Sequence, residues 1–323
     1  MRATAAGSLP GVDFRGAASA MAEVLPELLP LPELPARGPG SQLVGRTLGL
    51  VDGLGFDLQP AGWRLVPGDG VEHRRARAQW RSDLDDLEEL LAGFDQTLKV
   101  AVAGPWTLAA MVERTAGDRL LADHGARREL SQALADAVAS LVADLHRRLP
   151  AATILLQVDE PLLVSVASGS VPTASGFSRH RAVDGPGLAE ALRPLADEAV
   201  LHCCAAGDWL PAAAAAGFGR VCVDTRWFRS AAALDRLGEW VAAGRGVVAG
   251  VVDSARPEFQ STDDLVTEAL RVLRPLELDP ARVAAQVDLG TGCGLAGWGI
   301  GTVGRQLAAL RDAVPLTLER LSD

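Results

Sequence analysis

Apolar residues follow two rhythms along this chain. Short, nearly unbroken apolar runs recur over residues 98–102, 153–158, 200–202, 220–223, 247–251 and 283–287. Runs of this length, bounded by glycine and polar residues, predict strands buried on both faces. Between them lie stretches in which apolar residues return every three or four positions, over 130–147, 186–195, 231–242 and 262–273. That spacing predicts amphipathic helices. Two more strands, near residues 2–5 and within 41–50 or 63–66, bring the expected number to eight. The alternation predicts βα units on a parallel sheet, and eight of them predict a (β/α)8 TIM barrel, an α/β fold in which residues 1–323 form a single domain.

In such a barrel, function gathers where the strands end. The expected strands near 200, 220, 247 and 283 all run into Gly, Cys or acidic residues, so their polar side chains converge on one mouth. Residues 31–40, rich in Pro and Gly, and residues 168–185, poor in apolar side chains, read as excursions over the barrel.

Composition narrows the partners. A net charge of −10 with no basic, aromatic-interleaved run argues against nucleic acid. No apolar stretch approaches the length that crosses a membrane, and the opening residues lack the apolar core of a signal peptide, so the expected location is the cytoplasm. The cysteines number four, Cys203, Cys204, Cys222 and Cys293, and two of them are adjacent, a poor framework for disulfides. Reduced thiols, some of them metal ligands, fit better. A glycine-rich segment at 290–294 lacks the lysine and the spacing of a phosphate loop.

The candidate chemistry starts at His202 and Cys204, two residues apart at a strand end and therefore on one face. Cys293 lies in the glycine-rich turn at the same predicted rim. Zn²⁺ takes nitrogen and sulfur ligands tetrahedrally, and a catalytic site leaves a position open. Asp224 or Cys222, both on the next strand and on one face of it, could complete the shell. Strand alternation turns Cys203 away, as a core thiol, and a core role also competes for Cys222. The remaining histidines, His73, His124, His146 and His180, lie in helical or polar stretches and are expected to be solvated. At the end of the apolar run 153–158 stand Asp159 and Glu160. Acids at a strand tip are costly unless solvated or paired, so one of them is expected to serve substrate and a salt bridge to an arginine is the competing role.

Seven segments in order, Ala6-Gly-Ser-Leu-Pro, Gly104-Pro-Trp-Thr-Leu, Gln157-Val-Asp-Glu-Pro, Leu201-His-Cys-Cys, Val223-Asp-Thr, Gly250-Val-Val-Asp and Gly292-Cys-Gly-Leu, resemble the catalytic barrel of cobalamin-independent methionine synthase in its short, single-barrel form. The resemblance implies a barrel of the uroporphyrinogen decarboxylase and methionine synthase type. It implies a Zn²⁺ site of His202, Cys204, Asp224 and Cys293, with Asp224 standing where the family has glutamate. It further implies that Asp159, with Glu160 beside it, receives the amino group of homocysteine and that Ser8 contacts its carboxylate. The implied activity is a thiol S-methyltransferase making methionine from homocysteine and a methyl donor, either methyltetrahydrofolate or a methyl-corrinoid on a partner protein. Ala255 stands where the folate-using enzymes carry a proton-donating histidine, which leaves Asp253 as a replacement proton donor or points to the corrinoid. Two other readings share these ligands: a corrinoid-linked methyltransferase acting on another thiol, and a zinc-stabilised barrel without catalysis.

Overall fold

The computed structural model describes residues 1–322. Among the described residues nine strands form: β1 Leu28–Pro30, β2 Gly55–Gln59, β3 Gly62–Val66, β4 Thr97–Ala103, β5 Thr153–Asp159, β6 Ala199–Cys203, β7 Arg220–Asp224, β8 Gly246–Val252 and β9 Val287–Thr291. The helices are α1 Phe14–Val24, α2 Leu43–Leu48, α3 Val71–Leu90, α4 Pro105–Met111, α5 His124–Arg148, α6 Leu163–Ala167, α7 Gly185–Leu192, α8 Leu210–Ala216, α9 Ala231–Ala242, α10 Thr262–Leu273, α11 Pro280–Gln286 and α12 Ile300–Ser322.

Seven strands make one parallel sheet in the order β1-β4-β5-β6-β7-β8-β9. The N-terminal segment joins its two edges. Thr4 N–H donates to Leu289 O at 2.9 Å and Leu289 N–H to Arg2 O at 2.8 Å; on the other side Leu9 N–H donates to Glu33 O at 2.8 Å and Glu33 N–H to Gly7 O at 3.0 Å. With that segment as the eighth stave the sheet closes into the (β/α)8 barrel, which leaves no open sheet edge. The expected strand at residues 2–5 is therefore a stave, although it pairs through single bridges at Ala3 and Ser8 instead of a continuous ladder.

The other uncertain strand lies elsewhere than expected. Within 41–50 the chain forms the helix α2, and 63–66 belongs to the antiparallel hairpin β2–β3, outside the barrel sheet. The missing stave is β1, in the Leu-Leu-Pro at the head of the proline-rich segment, and its alignment continues past Pro30, with Leu31 N–H donating to Lys99 O at 2.8 Å. Proline is tolerated because alternate residues of a strand bond the same neighbour: with Leu31 N–H turned to β4, the N of Pro30 faces away from it and the ladder loses no donor. The run at 283–287 is likewise helical as far as Gln286, and only Val287 belongs to a strand. Asp279 caps α11 by accepting from Ala281 N–H, Pro280 opens it, and the strand follows at β9. This shift brings the end of β9 to within two residues of Cys293.

The four helices expected from periodicity form, with 193–195 finishing as a 3-10 turn. A continuous buried cluster from Ala3 to Ala313 packs them onto the barrel. No helix among the described residues is long and apolar enough to cross a membrane. Two histidines depart from the solvated expectation. His73 is 0% and His180 8% exposed. His73 is held by Leu48 O at Nε2 (2.8 Å) and by Phe56 N–H at Nδ1 (3.4 Å), and His180 Nε2 lies 3.2 Å from Asp118. His124 and His146 are exposed.

Candidate metal centre

Inward-facing residues alternate along each strand, and this parity builds the site. On β6, Val200 and His202 point inward, while Cys203 turns out into the main core at 1% exposure. Cys204 follows the strand end, where the Trp227 indole N–H donates to its carbonyl at 2.8 Å. Cys293 arrives from the turn after β9. The ligand atoms of His202, Cys204 and Cys293 all lie within 4.8 Å of one another, and the two sulfurs are 3.4 Å apart. Zn–S bonds of about 2.3 Å and Zn–N bonds of about 2.0 Å in a tetrahedron place ligand atoms roughly 3.5–3.8 Å apart, so small side-chain shifts fit these three around one ion. The same sulfur separation is far beyond the roughly 2.05 Å of a disulfide bond, and all four cysteines are free thiols.

Without an ion, only one of the three groups, the Cys293 thiol, is shifted toward its ligating form, and ion binding has to displace protons from His202 and Cys204. The hydrogen bond the two thiols share lowers Cys293 to about 6, with the positive charge of His202 assisting, and pushes Cys204 up. Burial opposes a charge on His202, but Cys222 and the Asp159 carboxylate outweigh it and lift the imidazole to about 10. His202 Nδ1 and Asp159 Oδ1 are 2.8 Å apart. Taking Nδ1 as the protonated nitrogen leaves Nε2, 3.3 Å from Gly292 O, as the nitrogen for a metal.

Asp224 is not in this three-residue group. Its carboxylate is clasped by its neighbour two residues on: the Nε of Arg226 lies 3.0 Å from each oxygen, a second guanidinium nitrogen lies 2.5 Å from Oδ2, and Arg226 N–H donates to Oδ1 at 3.0 Å. Asp224 still borders the site, because a Cβ added at Gly292 would sit 2.9 Å from its carboxyl carbon. Arg226 also reaches Asp253, at 3.1 Å, and Asp253 is further engaged by Arg256 at 3.4 Å and by Ala255 N–H at 3.1 Å. Cys222 lies in an apolar layer with Val200, Val248 and Leu155, and burial pushes its thiol up.

The two acids ending β5 diverge as parity requires. Asp159 faces the site. Its Oδ1 accepts from Gln157 Nε2 at 2.8 Å and meets His202, while Oδ2 has no hydrogen-bond partner among the described residues. Glu160 is 0% exposed and spends both oxygens on the first turn of α4, accepting from Trp106 N–H, Thr107 N–H and the Thr107 hydroxyl at 2.7–2.8 Å. Burial raises it to about 7 against those three donors. Gly104 makes room for it, since a Cβ there would come within 2.3 Å of Glu160 Oε1. Ser8 packs against Gly294, beside Cys293, and its carbonyl accepts from Leu295 N–H at 2.7 Å.

Sequence reasoning passed over three buried polar groups under the mouth. Glu33, 6% exposed, pairs with Arg46 at 3.4 Å; burial raises it to about 7, Arg46 opposes, and the charge of Asp159 adds to the rise. Its signal was a lone acid inside the apolar, proline-flanked run after Leu29. Arg46 and Lys99 are the others, at 7% and 2% exposure.

No protein-family model matches the chain, and no curated protein does. Among solved structures, the chain is similar to a B12-independent methionine synthase from Shewanella sp. W3-18-1 in complex with selenomethionine, at 12% identity and a TM-score of 0.62, covering 99% of this chain and 98% of that one. At that identity the likeness establishes a shared single-barrel fold over the full length of both.

Proposed function

We propose that the protein is a zinc-dependent thiol S-methyltransferase that forms methionine from homocysteine. The observation that carries this reading is the His202, Cys204 and Cys293 group at the barrel mouth, set against an Asp159 carboxylate with one oxygen unspent. The methionine synthase fold supports it, as does the selenomethionine carried by that structural neighbour.

In this reading His202, Cys204 and Cys293 hold Zn²⁺, which when bound lowers the pKa of a substrate thiol so that its sulfur is nucleophilic near neutral pH. Asp224 would supply the fourth ligand once freed from Arg226, whose guanidinium has a second partner in Asp253. Asp159 Oδ2 binds the α-ammonium of the amino acid and Ser8 its carboxylate, so the thiol side chain points at the three ligands. Glu160 supports this subsite by fixing α4 beside Asp159. The transfer forms a sulfur–carbon bond at the methyl group as the bond from methyl to donor breaks, and that electron pair leaves with the donor. A folate donor departs as an amine and needs a proton, whereas a corrinoid needs none. Ala255 offers no proton, and Asp253 is occupied by Arg226 and Arg256. The preferred donor is therefore a methyl-corrinoid, carried by a partner protein.

The test is to incubate zinc-loaded protein with homocysteine and either methylcobalamin or methyltetrahydrofolate and to measure methionine. Product from methylcobalamin is expected. Product from the folate alone overturns the donor assignment, and product from neither overturns the methyltransferase reading.

A further inference from the structure

Lys99 is the chain's only lysine, and it is buried in the barrel interior at 2% exposure. Removing an ammonium group from water is expensive unless it is fully hydrogen-bonded, and burial pushes this amine down. Its partners are specific. Nζ donates to Ala5 O at 2.6 Å and to the side-chain oxygen of Gln157. Gln157, at 0% exposure, then donates through Nε2 to Ala6 O at 3.1 Å and to Asp159 Oδ1 at 2.8 Å. Asp159 Oδ1 meets His202 Nδ1 at 2.8 Å.

The directions along this chain of contacts are forced. Ala6 O and the Asp159 carboxylate can only accept, so the Gln157 carboxamide must turn its NH2 group to them and its oxygen to Lys99. Asp159 Oδ1 then has donors on two sides, which leaves Oδ2 as the oxygen presented to the mouth. The same two residues fasten the carbonyls of Ala5 and Ala6, immediately before Gly7 and Ser8 on the N-terminal stave.

We propose that Lys99 is a positioning residue for recognition of the substrate's α-ammonium group, acting through Gln157 on the Asp159 carboxylate. The proposal rests on the methyltransferase reading for the identity of the ligand. Without Lys99 the buried carboxamide oxygen is left without a donor. The cost of that unpaired oxygen draws Gln157 from its place, and the Asp159 carboxylate that its NH2 group holds loses its aim at the ammonium position.

The experiment titrates zinc-loaded protein with two probes, L-methionine and 4-(methylsulfanyl)butanoate, which is methionine without its α-amino group. The wild type is expected to bind methionine at least about tenfold more tightly than the analogue. Lys99→Met keeps the volume and removes the donors. It is expected to weaken methionine about tenfold while leaving the analogue within about twofold and the zinc content unchanged. Gln157→Leu should reproduce the effect, and the double variant should be no worse than Gln157→Leu alone, because the two residues act in series. Gln157→Leu also carries the test if Lys99→Met fails to fold. A variant that preserves the wild-type preference for methionine, or that weakens both probes equally, overturns the positioning role. A wild type that binds neither probe overturns the amino-acid reading itself and this inference with it, a failure visible before any variant is made.

Discussion

At the scale of single residues, the site divides neighbouring side chains that the sequence makes look alike. Cys203 and Cys204 are adjacent, yet one is a core thiol at 1% exposure and the other lies 3.4 Å from Cys293. Cys204→Ser and Cys293→Ser are therefore expected to lose zinc, and Cys203→Ser to keep it, by metal analysis of the purified proteins; zinc loss in Cys203→Ser would reverse the strand parity on which the site is built. Asp224 requires a subtler measurement because Arg226 holds it. A carboxylate paired with a guanidinium must be released before it can ligate, so Arg226→Ala should raise zinc affinity, by about tenfold, in competition with a chromophoric chelator. That gain should vanish in Arg226→Ala combined with Asp224→Asn. Persistence of the gain in the double variant would remove Asp224 from the ligand set.

At the scale of elements, the barrel strands with long Val, Leu and Ile runs were legible because a strand covered on both faces has to be apolar throughout. β1 was not, since three residues beside prolines carry too little pattern, and α11 was not, because its Val-Ala-Ala core suits either a short helix or a strand. The His202 and Cys204 pairing was legible from period-two alternation alone. The Lys99–Gln157 contact was not, because it depends on β4 lying beside β5; the Arg226 clasp is local but depends on the tight turn after β7 that folds Arg226 back onto Asp224. His73 shows the same limit. It stands in a polar helical stretch, but in the fold it joins α3 to α2 and β2, and burial lowers its pKa from the ordinary value near 6.5. The folded state therefore prefers the neutral ring. As pH falls below about 6.5 the unfolded chain takes up a proton that the folded chain refuses, so this group's contribution to stability is present above that pH and is lost below it, with a slope of at most about 1.4 kcal/mol per pH unit. Urea midpoints measured between pH 7.5 and 5.5 should fall less steeply in His73→Gln than in the wild type. Equal slopes would mean that His73 is not held neutral.

At the scale of the whole molecule, the proposed ion links parts of the chain that fold far apart in sequence. His202 and Cys204 come from one middle stave, β6, Cys293 follows β9, and β9 is hydrogen-bonded to the N-terminal stave that closes the barrel. An ion bound to all three residues is bound only by the closed barrel, because an opened sheet separates the ends that carry the ligands. Such binding stabilises the folded state in proportion to its occupancy, by about 2.7 kcal/mol when free zinc exceeds its dissociation constant a hundredfold. For a chain of this size that corresponds to a Tm higher by a few degrees. Chelation of the wild type should therefore lower Tm by that amount, and readdition of zinc should restore it. In Cys293→Ser, chelator and zinc should both leave Tm where it was, because the link between β6 and the closing stave has been cut. A wild type whose Tm ignores chelation, once metal analysis has shown that the zinc was removed, would show that the ion sits on a finished barrel without helping to hold it closed.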